Sequence, residues 1–313
     1  MNILISEFMD EESVAWLQSR FATVYEPTLV DRQDEFFARL ATVDALIVRN
    51  RTQVNADLLA AATQLKVVGR LGVGLDNIDL PACRSRAIEV IPATGANALA
   101  VAEYVIATAM MLLRGTYTSS LQVAAGKWPR TALSNGREIG GKTLGIVGYG
   151  GIGQLTARLA TGLGMRVLAT DPMLSPDAPV WAESGAVCCT PDQLLVASDV
   201  VSLHVPLTAD TRNFINASRL ALMKSNAMLI NSSRGGIVDE SALAEALKEG
   251  RLGGAALDVF VEEPLKAGSV LENCPNLILT PHIAGVTAES NTRVSSMIAE
   301  RVAEFLGSAK AGH

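Results

Sequence analysis

The sequence predicts an α/β protein made of two doubly wound parallel-sheet domains, with one domain inserted in the other. Apolar strand-like runs alternate with helix-like runs along almost all of the 313 residues, a pattern typical of parallel sheets. In the second half of the chain, six strand-like runs each end in a polar or glycine-rich segment. Ligands of open parallel sheets bind outside the carboxyl ends of the strands, so the six ends indicate one binding crevice.

Length and composition agree with two soluble globular domains, since 49% of residues are hydrophobic and 19% charged. A net charge of −6 argues against nucleic acid or an anionic membrane as the main partner. The four cysteines show neither C-x-x-C spacing nor a metal-ligand pattern, which predicts reduced thiols, no metal and a cytoplasmic location. The longest apolar segment, 98–113, contains Glu103 and is too short to span a membrane.

The first part of the chain predicts a small doubly wound domain that ends near residue 95. Its strand-like runs occupy 2–6, 43–48, 65–69 and 88–91, and its helix-like runs occupy 11–20, 33–41, 54–62 and 78–86.

Asn97 then reads as an N-cap for an apolar helix over 98–114, with Gly115 as its stop. A helix that is apolar on nearly all sides is usually buried between larger units. With Trp128 on the following arm, it predicts a homodimer.

A second alternating series runs from Thr143 to about residue 283, and a last helix at 287–306 has no strand after it. This helix most simply packs back on the first domain. The predicted domains are therefore 1–96 with 284–313, which is discontinuous, and 97–283.

A glycine motif opens the second series. Gly148, Gly150 and Gly153 fit G-x-G-x-x-G, with Gly151 and Ile152 inside the motif, after a strand and before a helix. Glycines there allow a tight turn and close approach of a pyrophosphate to the helix N-terminus. The segment predicts a Rossmann dinucleotide-binding domain, inserted in a flavodoxin-like substrate domain.

Asp171 ends the next strand-like run, 18 residues beyond Gly153. A carboxylate at that place accepts hydrogen bonds from a ribose diol and repels a 2′-phosphate. No basic residue follows directly, because the chain continues with Pro172 and Met173. The predicted cofactor is NAD rather than NADP.

Two internal histidines, His204 and His282, are the candidate proton carriers, and both follow strand-like runs. Arg234 is a candidate for binding a carboxylate through two parallel hydrogen bonds. A carboxylate bonded to the far nitrogen of His282 would favour its imidazolium form. Position in the sequence alone does not decide whether Glu262 or Glu263 is this carboxylate partner of His282.

These blocks resemble the D-isomer-specific 2-hydroxyacid dehydrogenase family, in the branch near phosphoglycerate dehydrogenase. The resemblance extends from the Arg70–Asp79 block to the Thr280–Gly285 block, and four blocks occur in the family's order and spacing. The opening segment 5–11 also resembles the sulfolactate dehydrogenases of this family. Where relatives often carry arginine or lysine, this chain has Gly151.

The resemblance implies a role for several residues of this chain. Its reacting trio maps onto Arg234, Glu263 (the acid directly before a proline) and His282. The resemblance implies that backbone amides of Val73 and Gly74 bind the substrate carboxylate. It implies that Ser232 and Asp258 lie near the nicotinamide, and that His204, Val205 and Pro206 lie along the pyrophosphate and adenine side. Gly285 is a further implied cofactor contact. Asn97 matches a hinge-side asparagine.

The expected function is hydride transfer between the nicotinamide of NAD and C2 of a 2-hydroxy or 2-oxo acid. Phosphoglycerate, sulfolactate, malate-like acids and glyoxylate or hydroxypyruvate all remain open. A doubly anionic acid would need a second cation, and the candidates are Arg49, Arg70, Lys127 and Arg130. One alternative is a non-catalytic NAD(H)-sensing protein of the same family. A second is a formate dehydrogenase, and Glu263 argues against this second alternative.

Overall fold

The computed structural model describes residues 1–311, and the chain divides into two compact units. Unit 1 is Met1–Asn97 with Val286–His313, and unit 2 is Ala98–Gly285. Residues 312–313, which belong to the predicted 284–313 segment, lie outside the described residues.

Unit 1 is a five-stranded parallel sheet in the order β2-β1-β3-β4-β5 with helices between its strands. Its elements are β1 (Asn2–Ile5), α1 (Glu11–Gln18), β2 (Ala22–Tyr25), α2 (Gln33–Leu40), β3 (Ala45–Val48), α3 (Ala56–Ala61), β4 (Val67–Arg70), α4 (Leu80–Ser85), β5 (Glu89–Pro92) and α12 (Ala288–Ala311). This strand order confirms the flavodoxin-like prediction. The sequence interpretation missed β2, an edge strand that alternates between exposed and half-buried residues and so lacks an apolar run.

Helix α12 packs in the core of unit 1 although it follows unit 2 in the chain. Val294, Ile298 and Val302 are buried together with Ile3 and Ile5 of β1. A methyl group on Gly69 of β4 would lie 2.8 Å from Ile298 Cγ2, so the helix and the sheet are in close contact. Apolar burial of this kind is the main source of stability for such a layer.

Unit 2 is a seven-stranded parallel sheet in the order β12-β11-β10-β9-β6-β7-β8. Its elements are α5 (Ala98–Arg114), α6 (Ser120–Ala124), β6 (Thr143–Val147), α7 (Gly151–Gly162), β7 (Arg166–Thr170), α8 (Pro179–Ser184), β8 (Val187–Cys188), α9 (Pro191–Ala197), β9 (Val200–Leu203), α10 (Ala217–Leu220), β10 (Met228–Asn231), α11 (Glu240–Lys248), β11 (Gly254–Leu257) and β12 (Leu277–Leu279). The two sheets together confirm the α/β prediction. The two-residue strand β8 was missed because it is too short to show a pattern.

The strand order of unit 2 reverses between β6 and β9. From β6 the chain moves outward to β7 and β8, and then returns to β9 on the other side of β6. Such a switch point is where open α/β sheets bind their ligands. It lies at the glycine motif that follows β6 and at His204, which follows β9.

Helix α5 packs against α7 and the sheet of unit 2, and its residues Val105, Ala109 and Leu112 are buried. Asn97 does not form the expected N-cap: its Oδ1 atom is buried and has no hydrogen-bond partner among residues 1–311. No single helix in the described chain is long and apolar enough to cross a membrane. Helix α5 and the next helical segment, 117–124, reach that length and apolar character only together, and a 70° bend separates them.

Candidate functional site

The glycine motif forms a tight turn between β6 and α7. A Cβ atom on Gly148, whose φ is +93°, would lie 2.4 Å from the carbonyl oxygen of His204, and one on Gly153 would lie 2.3 Å from the carbonyl oxygen of Gly148. Larger residues are therefore excluded at both positions. Helix α7 begins at Gly151 with Gly150 as N-cap and no side chain bonded to its first amides. Those amides and the helix dipole suit a pyrophosphate.

Space is left in front of this turn. A Cβ atom on Gly150 or Gly151 would have no neighbour within 4 Å, so a longer side chain would fit at Gly151. Ile152 follows in the first turn of α7. Val205 packs under the turn, with Cγ1 at 2.8 Å from the position of a Cβ on Gly148. The next residue, Pro206, accepts a hydrogen bond from the Thr211 hydroxyl.

Asp171, at the end of β7, fixes two neighbouring loops. Its Oδ2 atom accepts a hydrogen bond from the amide of Tyr149 (2.7 Å), and Oδ1 accepts one from the amide of Met173 (2.9 Å). Because each carboxylate oxygen has a second lone pair, the group can still accept hydrogen bonds from a ribose. Its negative charge next to the glycine turn fits NAD.

A buried hydroxyl group without a partner lies at the end of β10. Ser232 Oγ has no hydrogen bond to any residue in the described part of the chain. Buried polar atoms are normally paired, so an unpaired one calls for a missing partner. With the glycine turn and Asp171, it makes this edge of the sheet fit a dinucleotide.

His204 is not suited to carry a proton at neutral pH. The residue retains some accessible surface, but its imidazole is enclosed, and this burial lowers its pKa to about 4. The ring nitrogen Nε2 lies 2.9 Å from Ser202 Oγ. The imidazole is therefore neutral, and the backbone of His204 supports the turn at Gly148.

His282 stands on a turn that is organised by Asp258, a residue with 1% exposure at the end of β11. Oδ1 of Asp258 accepts hydrogen bonds from the Thr280 hydroxyl (2.6 Å) and the Ile283 amide (2.9 Å), and Oδ2 accepts one from the Ala284 amide (2.8 Å). The carbonyl group of Asp258 accepts the His282 amide (2.8 Å).

The backbone of His282 is held in the left-handed region, with φ at 54°. That conformation costs a non-glycine residue on the order of 1–3 kcal/mol. The bonds to Asp258 offset the cost. The strain and the buried acid together present the imidazole at the carboxyl edge of the sheet, where it is about half exposed.

His282 and Glu263 form a close pair. The distance between Nδ1 of His282 and Oε2 of Glu263 is 2.7 Å, and Glu263 Oε1 accepts the Phe260 amide at 3.0 Å. The neighbouring Glu262 instead pairs with Lys266. This geometry resolves the choice that the sequence left open. With Nδ1–H donated to Glu263, Nε2 is the ring atom available to exchange a proton.

Arg234 lies on the loop after β10, two strands from β12 in the sheet. Asn231 Nδ2 donates to the carbonyl oxygen of Arg234 (2.9 Å), and Arg234 Nη1 donates to the carbonyl oxygen of Ser233 (2.6 Å). A Cβ atom on Gly235 would lie 1.7 Å from the carbonyl oxygen of Phe260. The Arg234 loop is therefore pressed against the segment that carries Glu263.

The remaining candidates separate by unit. In unit 1, Arg49 follows β3 and Val73 and Gly74 follow β4, while the Arg70 side chain turns back to the carbonyl oxygen of Leu71. Lys127 and Arg130 are exposed residues of unit 2. Gly285 is the last residue of unit 2 and follows Ala284, whose amide donates to Asp258.

Sequence reasoning missed the support that Tyr104 gives to this site. Its hydroxyl group lies 2.7 Å from Thr280 Oγ1, which in turn donates to Asp258. Burial raises the pKa of the tyrosine, so it remains a neutral donor. A tyrosine within an apolar helix gives no local signal of a partner 176 residues away.

Residues 106–284 match the family model for the NAD binding domain of the D-isomer specific 2-hydroxyacid dehydrogenases. The (S)-sulfolactate dehydrogenase of Chromohalobacter salexigens is 52% identical over 98% of both chains. The chain belongs to the D-isomer specific 2-hydroxyacid dehydrogenase family.

Two further relatives show the range of the family. The D-3-phosphoglycerate dehydrogenase of Archaeoglobus fulgidus is 37% identical over 96% of this chain, which spans 56% of that protein's length. The D-lactate dehydrogenase of Aquifex aeolicus, solved with NAD and lactic acid, superimposes with a TM-score of 0.78 and 28% identity, over 98% of this chain and 96% of that one. The predictions of the family, of NAD as cofactor and of an NAD-dependent 2-hydroxyacid oxidoreductase are confirmed.

The burial of His204 predicts an acid-sensitive fold. Its pKa of about 4 in the folded protein lies below the ordinary value of 6.5, so the unfolded chain binds the proton first as the pH falls. Above pH 6.5 the group contributes nothing to pH dependence. Between pH 6.5 and 4 it should lower the free energy of unfolding by up to roughly 3 kcal/mol.

Urea unfolding of the cofactor-free protein at several pH values measures this effect. Between pH 6.5 and 4, the free energy of unfolding of His204→Asn should fall less steeply than that of the wild-type protein. The same pH dependence of the free energy of unfolding in both proteins would contradict a neutral, buried imidazole.

Proposed function

We propose that this chain catalyses the NAD-dependent interconversion of sulfolactate and sulfopyruvate, with Arg234, Glu263 and His282 as its reacting groups. The 2.7 Å contact between His282 and Glu263 carries the proposal, because it leaves one imidazole nitrogen free on a turn fixed by Asp258. The choice of substrate rests on the 52% identity to a sulfolactate dehydrogenase over nearly the whole chain.

Bound NAD supplies or accepts the hydride at C4 of its nicotinamide. During reduction, His282 as imidazolium donates the Nε2 proton to the oxygen on C2 of the substrate, and during oxidation it removes that proton. Glu263 stabilises the imidazolium and holds the ring in one orientation. The Arg234 guanidinium binds the substrate carboxylate and aligns the reacting carbonyl group.

We assign further substrate contacts to unit 1, which then acts as the substrate domain. The amides of Val73 and Gly74 donate to no residue in the described part of the chain, so they are available to the substrate carboxylate. Arg49 makes one side-chain hydrogen bond, to Asn291, and no ion pair among residues 1–311. It is the cation that we assign to the sulfonate.

We also assign the cofactor contacts. The pyrophosphate is bound by the turn at Gly148, Gly150 and Gly153, and the ribose by Asp171. Ser232, Asp258 and Gly285 belong to the nicotinamide side, while His204, Val205 and Pro206 support the pyrophosphate and adenine side. The four cysteines are free thiols, which supports a reducing, cytoplasmic location.

The substrate proposal is tested by NADH oxidation with sulfopyruvate, phosphohydroxypyruvate, oxaloacetate, hydroxypyruvate and pyruvate, each repeated with NADPH. We expect the highest kcat/KM with sulfopyruvate and a marked preference for NADH, because Asp171 repels a 2′-phosphate. Preference for hydroxypyruvate would replace the substrate but keep the reaction. Tight NADH binding without turnover of any of these acids would point to an NAD(H)-sensing protein instead.

The roles of His282 and Glu263 are tested by substitution. His282→Asn should lower kcat by roughly 10²- to 10⁴-fold, as expected for loss of a general acid. Glu263→Gln should also lower kcat, since the imidazole loses the carboxylate that holds its orientation. Glu262→Gln is the matched control, because that acid pairs with Lys266. A similar loss in Glu262→Gln and Glu263→Gln would contradict the assignment.

We further propose a homodimer formed through α5 and the segment that follows it. Large apolar side chains are exposed there: Met110 and Met111 at about 40%, Leu121 at 85% and Trp128 at 78%. Patches of this kind mark protein interaction sites. Sedimentation at micromolar concentration should give twice the mass of the chain, and Leu121→Glu should shift it toward the monomer. A wild-type monomer would refute the proposal.

A further inference from the structure

A buried carboxylate lies behind the loop that follows β3 in unit 1. Glu7 is 3% exposed and accepts four backbone amides. Its Oε1 atom binds the amides of Arg49 (2.8 Å) and Thr52 (3.0 Å), and Oε2 binds those of Asn50 (3.2 Å) and Arg51 (3.0 Å). The loop 49–52 is thus wrapped around a single side chain.

Only an ionised carboxylate can accept four hydrogen bonds without donating any. Burial raises the pKa of Glu7, but hydrogen bonds from the backbone of Thr52, Arg49 and Arg51 outweigh it, and the pKa ends below its ordinary value. Glu7 is therefore an anion at neutral pH. A buried charge is costly unless it is hydrogen-bonded, so the carboxylate and the four amides of the loop 49–52 hold each other in place.

The residue that this loop fixes is Arg49. Its amide is bound by Glu7, its carbonyl oxygen accepts a hydrogen bond from Asn77 Nδ2 (3.4 Å), and its Nη2 atom donates to Asn291 Oδ1 on α12 (2.8 Å). The Arg49 Cζ atom lies 5.6 Å from the centre of the Phe8 ring. Glu7 and Asn77 thus fix the backbone of Arg49, while Asn291 binds its guanidinium beside the Phe8 ring. The guanidinium donors other than this Nη2–H remain available.

Arg49 lies beside the loop of Val73 and Gly74, whose amides donate to no other described residue. Strands β3 and β4 are parallel neighbours, with Val48 opposite Arg70, and both loops leave the same edge of the sheet. Two groups that can bind anions therefore occupy adjacent strand ends of one unit. Such a pair matches a substrate with two anionic ends.

We infer that Glu7 and Asn291 are positioning residues that hold Arg49 for the second anion of the substrate and so set the preference for doubly anionic over singly anionic 2-oxo acids. The inference rests on the proposed function. If instead Glu7 and Asn291 only stabilise unit 1, their loss would affect both kinds of substrate alike.

The readout is the ratio of kcat/KM for sulfopyruvate to kcat/KM for hydroxypyruvate, which lacks the second anion. Arg49→Met should lower this ratio by about 10- to 100-fold, because a hydrogen bond to a charged group contributes about 1.5–3 kcal/mol. Glu7→Gln and Asn291→Ala should each lower it by roughly 10-fold, mainly through KM for sulfopyruvate. Asp31→Asn is the matched control, since Asp31 pairs with Arg51 on the exposed side of the same loop.

Double variants separate positioning from independent effects. Adding Glu7→Gln or Asn291→Ala to Arg49→Met should change the ratio little further, because positioning a missing guanidinium has no effect. Equal losses with both substrates, an unchanged ratio in Asn291→Ala, or fully additive double variants would overturn the inference. If Glu7→Gln does not fold, as judged by its thermal unfolding, Asn291→Ala decides.

The wild-type protein is assayed first so that the two proposals fail separately. Absence of turnover with every doubly anionic acid would contradict the proposed substrate. Normal wild-type turnover of sulfopyruvate without a selective loss in the variants would contradict the positioning role alone.

Discussion

The carboxylate of Asp258 is the group on which the candidate active site depends. It binds the Thr280 hydroxyl and two successive amides, and the carbonyl group of the same residue binds the amide of His282. These bonds hold a non-glycine residue in a left-handed conformation and direct its ring to Glu263. Without that buried acid, the strained turn would relax and the imidazole of His282 would lose its position beside Glu263. The resemblance to the family had implied only a cofactor contact for Asp258, and the structure gives it a structural part as well.

The same device occurs at three strand ends. Asp258 after β11, Asp171 after β7 and Glu7 after β1 each bind backbone amides of loops at the carboxyl edge of a sheet. Loops that bind ligands need exposed donors and a fixed shape, and these two demands conflict because exposed loops tend to move. An acid that uses some amides of a loop fixes its shape and leaves the others for a ligand. The three acids therefore fix the shape of these loops through contacts within the protein itself.

Much of this arrangement could be predicted from the sequence, and the exceptions have physical reasons. The alternating pattern and the residues after each strand predicted both sheets and the His282 region, since period and position are local properties. Strands β2 and β8 lacked an apolar run and were missed. The choice between Glu262 and Glu263, the hydrogen bond of Tyr104 and the part played by Glu7 all depend on contacts between distant segments. No local pattern encodes such contacts. At Asn97 a local pattern was misleading: asparagine is a suitable N-cap residue, but its side chain does not cap α5.

The position of α12 has a consequence for the synthesis of this protein. Its residues Ile298 and Val302 complete a core whose other side, Ile3 and Ile5, is synthesised before unit 2. Unit 2, encoded between them, has all its strands and helices available earlier. While unit 2 is being made, the face of the unit 1 sheet that α12 covers therefore lacks this helix, and unit 1 can reach the packing described here only once α12 has been made.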